Sequence, residues 1–164
     1  MFNGLVSSGR TMSLPSMMNL QTLFTLEGKT ALITGGSRGV GAMIAEGLVA
    51  AGCRTYISSR TAADCEGMAE QLGGYPADCI PLPADISSVE GIEALVAALS
   101  RLENTVDILV NNAGVAWGEP FATFSEKGWD RVMNLNARSV FFLTQKMLPL
   151  LQRRATAEDP SRVI

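Results

Sequence analysis

Residues 34–41 read Thr-Gly-Gly-Ser-Arg-Gly-Val-Gly, and they join a short apolar stretch, Thr30-Ala31-Leu32-Ile33-Thr34, to a run with helical spacing through Val40, Ile44, Leu48 and Ala51. A strand-to-helix turn of this kind gathers backbone N–H groups at the positive end of a helix dipole, where an anionic phosphate is the favoured ligand. Each glycine has a physical reason: Gly35 permits the tight turn, Gly39 lets the backbone approach a phosphate, and Gly41 lets helix and strand pack closely. The run also suits an ordinary glycine-rich turn, since its spacing is not G-x-G-x-x-G.

Proton-transfer chemistry is narrowed by residues the chain lacks. It has no histidine, and both Ser-His-Asp and Cys-His catalysis need an imidazole to take the nucleophile's proton. Its tyrosines, Tyr56 and Tyr75, are followed four residues later by Arg60 and Cys79, and both read as packing residues. Cys53, Cys65 and Cys79 are odd in number and lack metal-ligand spacing, which points to free thiols in a reducing compartment and away from a disulfide framework or a zinc site.

The elements that would hold these residues alternate between strand-like and helical segments, the mark of parallel βαβ units. Strands are expected at Thr30–Thr34, Arg54–Ser58, about Cys79–Ala84 and Val106–Val110, with Arg162-Val163-Ile164 beginning a fifth. Pro81 and Pro83 cannot donate to a ladder, so the third strand should be short or lie toward an edge. Gly52 ends the first helix. Thr61 with Asp64 opens a second in capping-box style and Gly73-Gly74 closes it; Ser87 with Glu90 opens a third, with Ile92, Leu95, Val96 and Leu99 on one face. A longer helical region is expected from about Ser125 to Arg153. The pattern predicts an α/β fold, a Rossmann-like doubly wound parallel sheet truncated at the start of its fifth strand, spanning residues 26–164 behind a loose leader at 1–25.

The glycine run fits T-G-x-x-x-G-x-G, and Asn111-Asn112-Ala113-Gly114 follows the fourth strand as N-N-A-G. With both in register from about Leu26 to Ile164, the chain resembles the short-chain dehydrogenase/reductase family, most of all its 3-oxoacyl reductases of the fatty-acid and rhamnolipid type. The resemblance implies that Gly35, Ser37, Arg38, Gly39 and Val40 border the adenosine diphosphate part of a dinucleotide. It places Asp85 against the adenine amino group, Asn112 as a tie between neighbouring strands, and Asn111, Ala113 and Gly114 nearer the ribose. Asp85 also reads as a turn residue ahead of Ser87. Asn136 is similar to the family's catalytic Asn, which bends the long helix and holds a water through its main-chain carbonyl; a mid-helix Asn makes some irregularity expected there.

NAD sites usually place Asp or Glu after the second strand to bond the ribose 2'-hydroxyl. Here that position reads Ser58-Ser59-Arg60. Arg60 and Arg38 together suit a 2'-phosphate, so the expected cofactor is NADP(H). The family's Tyr-x-x-x-Lys has no match in this chain and would lie after the fifth strand. The expected whole protein is therefore an NADPH-dependent reductase of a ketone or 3-oxoacyl substrate, with this segment alone inactive. A non-catalytic nucleotide-binding or regulatory short form is the alternative, and a reductase of polyols or aromatic ketones a third. Resemblance also implies a homodimer or homotetramer, with Ser125 to Arg153 partly at the interface.

The 164 residues suffice for one domain with a buried core, and 47% hydrophobic content argues against global disorder. A net charge of -3 gives no general attraction to nucleic acid. No apolar run approaches a membrane span, and residues 1–25 lack the pattern of a secretory signal, so the expected location is the cytoplasm.

Overall fold

The computed structural model describes residues 24–164; the expected leader at 1–25 falls almost wholly outside them. Five strands, β1 (Thr30–Thr34), β2 (Arg54–Ser58), β3 (Cys79–Pro81), β4 (Ile108–Val110) and β5 (Arg162–Val163), form one sheet in the order β3-β2-β1-β4-β5. All pairings are parallel: Leu32 lies opposite Tyr56 on one side and Leu109 on the other, and Leu109 in turn faces Val163. Helices α1 (Gly39–Ala50), α2 (Ala62–Gln71), α3 (Val89–Leu102), α4 (Glu126–Met133) and α5 (Ser139–Gln152) connect and cover the strands.

Alternation along the strands divides the core between two faces. Leu32, Tyr56 and Leu109 point to one side, where Ile92, Leu95 and Leu99 of α3 and Leu143 and Met147 of α5 meet them. Ala31, Ile33, Ile57 and Val110 point to the other, against Ala45 and Val49 of α1 and Cys65 of α2. Every residue of β1 is buried, as a central strand covered on both faces must be. The fold is the doubly wound α/β sheet that the alternating pattern predicts.

β3 is the edge strand its prolines require, but pairing outlasts it. The amides of Leu82 and Ala84 donate to the carbonyls of Ile57 and Ser59 at 2.9 Å each. Pro81 and Pro83 alternate with those donors, so the positions without an N–H are the ones that face away from β2.

Two expected caps are corrected. α3 is capped by Ser88, whose hydroxyl accepts from Gly91 N at 3.1 Å, because Ser87 is already used: its amide donates to Asp85 Oδ1 at 3.0 Å in a tight side-chain turn. Thr61 occupies the N-cap position of α2 without a side-chain cap bond; its carbonyl takes the Ser59 hydroxyl at 3.1 Å, and Thr61 and Asp64 both border the large cleft. The long helical region is real but interrupted by a π-helical turn at Asn134–Arg138.

Candidate dinucleotide cleft

A cleft of about 510 Å³ opens at the C-terminal ends of β1, β2 and β4. It lies where the chain leaves β1 for α1 on one side of the sheet and β4 lies on the other, the switch point at which open α/β sheets bind ligands. Nine of the ten residues expected to bind cofactor line it: Gly35, Ser37, Arg38, Gly39, Val40, Arg60, Asp85, Ala113 and Gly114.

The glycine turn is held from below. A Cβ on Gly41 would lie 2.1 Å from Gly35 O and 2.5 Å from Asn112 Nδ2, so only glycine lets α1 approach β1 this closely. Gly39 has a positive φ of 56° and nothing within 4 Å of a would-be Cβ, leaving its backbone open to the cleft. Arg38 precedes α1 without a side-chain cap bond, so its first turn presents backbone N–H groups to the cleft.

Asn112 fastens β4 to β1: its Nδ2 donates to Thr34 O at 3.0 Å and Gly35 O at 3.1 Å. Thr34 Oγ1 completes the joint by accepting from the amides of Asn112 and Ala113 at 3.1 Å. The side chain of Asn111 departs from expectation. It is absent from the cleft lining, and its Nδ2 donates toward Thr144 Oγ1 of α5 at 3.4 Å, because strand alternation turns it to the opposite side from its neighbour.

Arg38 and Arg60 reach the same cleft from different turns, and neither enters an ion pair among the described residues. Asp85 is held below its ordinary value by the Ser87 amide and hydroxyl, with Arg60 adding a weaker attraction. Residues that the sequence did not assign to cofactor binding also line the cleft: Ser58, Ser59, Thr61, Asp64, Ile86 and Leu135. Ser58 is the informative one. Its hydroxyl is buried and has no hydrogen-bond partner, and the signal was available in Ser58-Ser59, two hydroxyls where an NAD-type acid would stand.

Asn136 lies beside the cleft and not in its lining. Its Oδ1 accepts from Val115 N and its Nδ2 donates to Val115 O, both at 2.9 Å, and Oδ1 lies 3.6 Å from where a Cβ on Gly114 would be. The helix is irregular here for a visible reason. The Ser139 hydroxyl donates to Leu135 O at 2.5 Å, in the place of the amide in a regular turn, and the Ser139 amide reaches back five residues to Asn134 O.

A family profile described as short chain dehydrogenase matches residues 29–158. The chain belongs to that family. It is 50% identical to the rhamnolipids biosynthesis 3-oxoacyl-[acyl-carrier-protein] reductase of Pseudomonas aeruginosa over 86% of its own length and 55% of that protein's. It is 43% identical to 2-dehydro-3-deoxy-D-gluconate 5-dehydrogenase of Dickeya dadantii over 74% of this chain and 47% of the relative. Among solved structures, the RhlG/NADP active-site complex of P. aeruginosa superposes with a TM-score of 0.82 at 50% identity, over 85% of this chain and 54% of that one. The chain thus spans about half the length of the relatives it matches.

Neither tyrosine borders the cleft. Tyr56 is buried on the sheet and donates to Glu103 Oε1 at 2.7 Å, and the Tyr75 hydroxyl bonds Glu46 at 2.5 Å. No group of acidic, Cys or His residues suited to a metal occurs among the described residues, and none of their helices is long and apolar enough to cross a membrane.

Proposed function

We propose that this chain binds NADP(H) in the cleft and forms the dinucleotide-binding part of a cytoplasmic short-chain reductase acting on a ketone or 3-oxoacyl substrate. One observation carries the cofactor choice: Arg38 and Arg60, unpaired among the described residues, converge on one cleft whose β2 end carries serines in place of an acid. Asp64 and Asp85 also border that cleft, but Asp85 is already engaged by the Ser87 amide, and the planar donor forks of the two arginines suit a phosphate. The open backbone at Gly39 and the orphaned Ser58 hydroxyl fit a ligand rich in phosphate and hydroxyl oxygens.

When bound, the nicotinamide supplies or accepts the hydride. This chain's own residues do the rest of the work at the nucleotide end. The first turn of α1 and the two arginines hold phosphates, Asp85 stays ionised to accept from the adenine amino group, and Ala113 and Gly114 back the ribose. Asn136 fixes the edge of the site through Val115. A phenol with a lysine four residues on has no counterpart here, so the 164-residue chain binds dinucleotide without turnover.

The substrate reading rests on likeness to the P. aeruginosa 3-oxoacyl reductase; the likeness to a sugar-acid dehydrogenase supports a hydroxylated ketone instead. Exposed Trp129, Met133, Phe141 and Leu148 on the α4–α5 surface support a homodimer or homotetramer, which light scattering reads directly. The deciding experiment is fluorescence titration of the chain with NADPH and NADH. Tighter NADPH binding is expected; equal affinity would remove the arginine argument.

A further inference from the structure

The loop between β4 and α4 carries a carboxylate with more work than a surface glutamate needs. Glu119 Oε1 accepts from Trp117 Nε1 at 2.7 Å and from the Ser125 hydroxyl at 3.1 Å, while Oε2 accepts from the Ser125 amide at 2.6 Å. The Ser125 hydroxyl, with its proton given to Glu119, accepts in turn from Gly128 N at 3.0 Å and caps α4. Trp117 lies over Gly128, where a Cβ would sit 2.5 Å from the indole, and Arg131 stacks 4.9 Å from its ring centroid. The buried glycine is therefore the seat of the indole. At its other end the loop is fixed by the paired bonds between Asn136 and Val115, next to Gly114 in the cleft wall.

We propose that Glu119 is a positioning residue that locks the 115–125 segment against α4, so that Val115 meets Asn136 and the edge of the cleft beyond Gly114 is held in one shape. This role rests on the cleft being the dinucleotide site. The bonding pattern sets its chemistry: three donors converge on two oxygens, and only an acceptor-only group satisfies them all. A glutamine in any orientation turns an NH2 toward at least one N–H or O–H, so Glu119→Gln should act as a broken lock and not as a conservative change. Glu119 is itself held below the ordinary glutamate value, first by the Ser125 amide and then by the Trp117 indole and the Ser125 hydroxyl, so the lock is charged at neutral pH.

Hydrogen exchange of the free chain tests the lock without activity. Glu119→Gln should speed exchange of the Ser125 and Gly128 amides about tenfold, with β1 and β4 amides unchanged. Trp117→Phe, which keeps the ring on Gly128 but removes one donor, should give a smaller increase and decides the matter if the first variant does not fold. A second arm adds NADPH. Wild type should slow exchange at Gly114 and Val115; Glu119→Gln should lose that slowing while its NADPH dissociation constant stays within about twofold, because the phosphate contacts lie elsewhere. Unchanged exchange at Ser125 and Gly128 in both variants overturns the lock. Faster exchange there with full slowing at Gly114 and Val115 overturns the positioning role. If wild type does not bind NADPH, the dinucleotide reading fails, and with it the positioning role.

Discussion

At the N-terminal ends of β1, β2 and β4, cations meet acids. Asp107 accepts from the buried Thr30 amide at 2.8 Å and from Arg154 at 2.6 Å, with Lys29 at 3.6 Å, and Arg54 bonds Glu103 at 2.8 Å. At the C-terminal ends of the same strands, Arg38 and Arg60 stand without acidic partners among the described residues, beside a serine hydroxyl with none either. One end of the sheet pairs its charges internally, and the other, though braced by Asn112 and Thr34, leaves two guanidiniums and one hydroxyl without a partner among the described residues. A folded chain tolerates the second arrangement only at the surface of a cleft, which is why unmet hydrogen-bonding capacity points to the site better than charge alone.

The largest test of that contrast is Asp107→Ala. It strands the buried Thr30 amide and unpairs Arg154, while Lys29 keeps Asp159, so it should cost about 2–4 kcal/mol in urea unfolding. Arg60→Ala should do the reverse: no loss of unfolding stability, but about 1.5–3 kcal/mol less NADPH binding with NADH unchanged. A destabilised Arg60→Ala would mean that the open end is tied into the fold after all. Lys29→Ala probes the paired end more gently and should lower stability by at most about 1 kcal/mol, since Asp107 keeps Arg154 and the Thr30 amide.

Asp85 gives the smallest effect, visible as a pH dependence. Its folded value is depressed, chiefly by Ser87, so its contribution is complete above the ordinary aspartate range and is lost as pH falls through the folded value. The difference in urea midpoint between wild type and Asp85→Asn should therefore be present at about pH 7 and shrink as pH falls below the ordinary aspartate value. A difference that persists in acid would assign the effect to the shape of the turn and not to its charge.

Much of the cleft was legible because its residues sit at fixed offsets from strand ends. Gly35, Gly39 and Gly41 follow β1, Arg60 follows β2, and Ala113 and Gly114 follow β4; strand period and turn length place such residues without knowledge of distant contacts. The side chain of Asn111 turns toward Thr144 because adjacent residues leaving a strand point to opposite sides, and the sequence does not show which one faces the cleft. The cap moved from Ser87 to Ser88 for a similar reason: Asp85 competes for the Ser87 amide, and neighbouring serines look alike until that competition is resolved. Glu119 carries no signal of that kind. Its three bonds involve Trp117 and Ser125, residue types equally at home on a polar surface, so no spacing rule marks them as a unit.

The π turn at Asn134–Arg138 also sets the phase between α4 and α5. A wide turn holds one residue more than the α-helical path it replaces, so the two screws are offset by about 100° from what a continuous helix would give. With α5 anchored through Leu143, Met147 and Leu151, excising one residue from the turn would rotate α4 about its axis by that angle. Gly128 would swing out from beneath Trp117, and the loop would lose its seat although none of its own residues had changed.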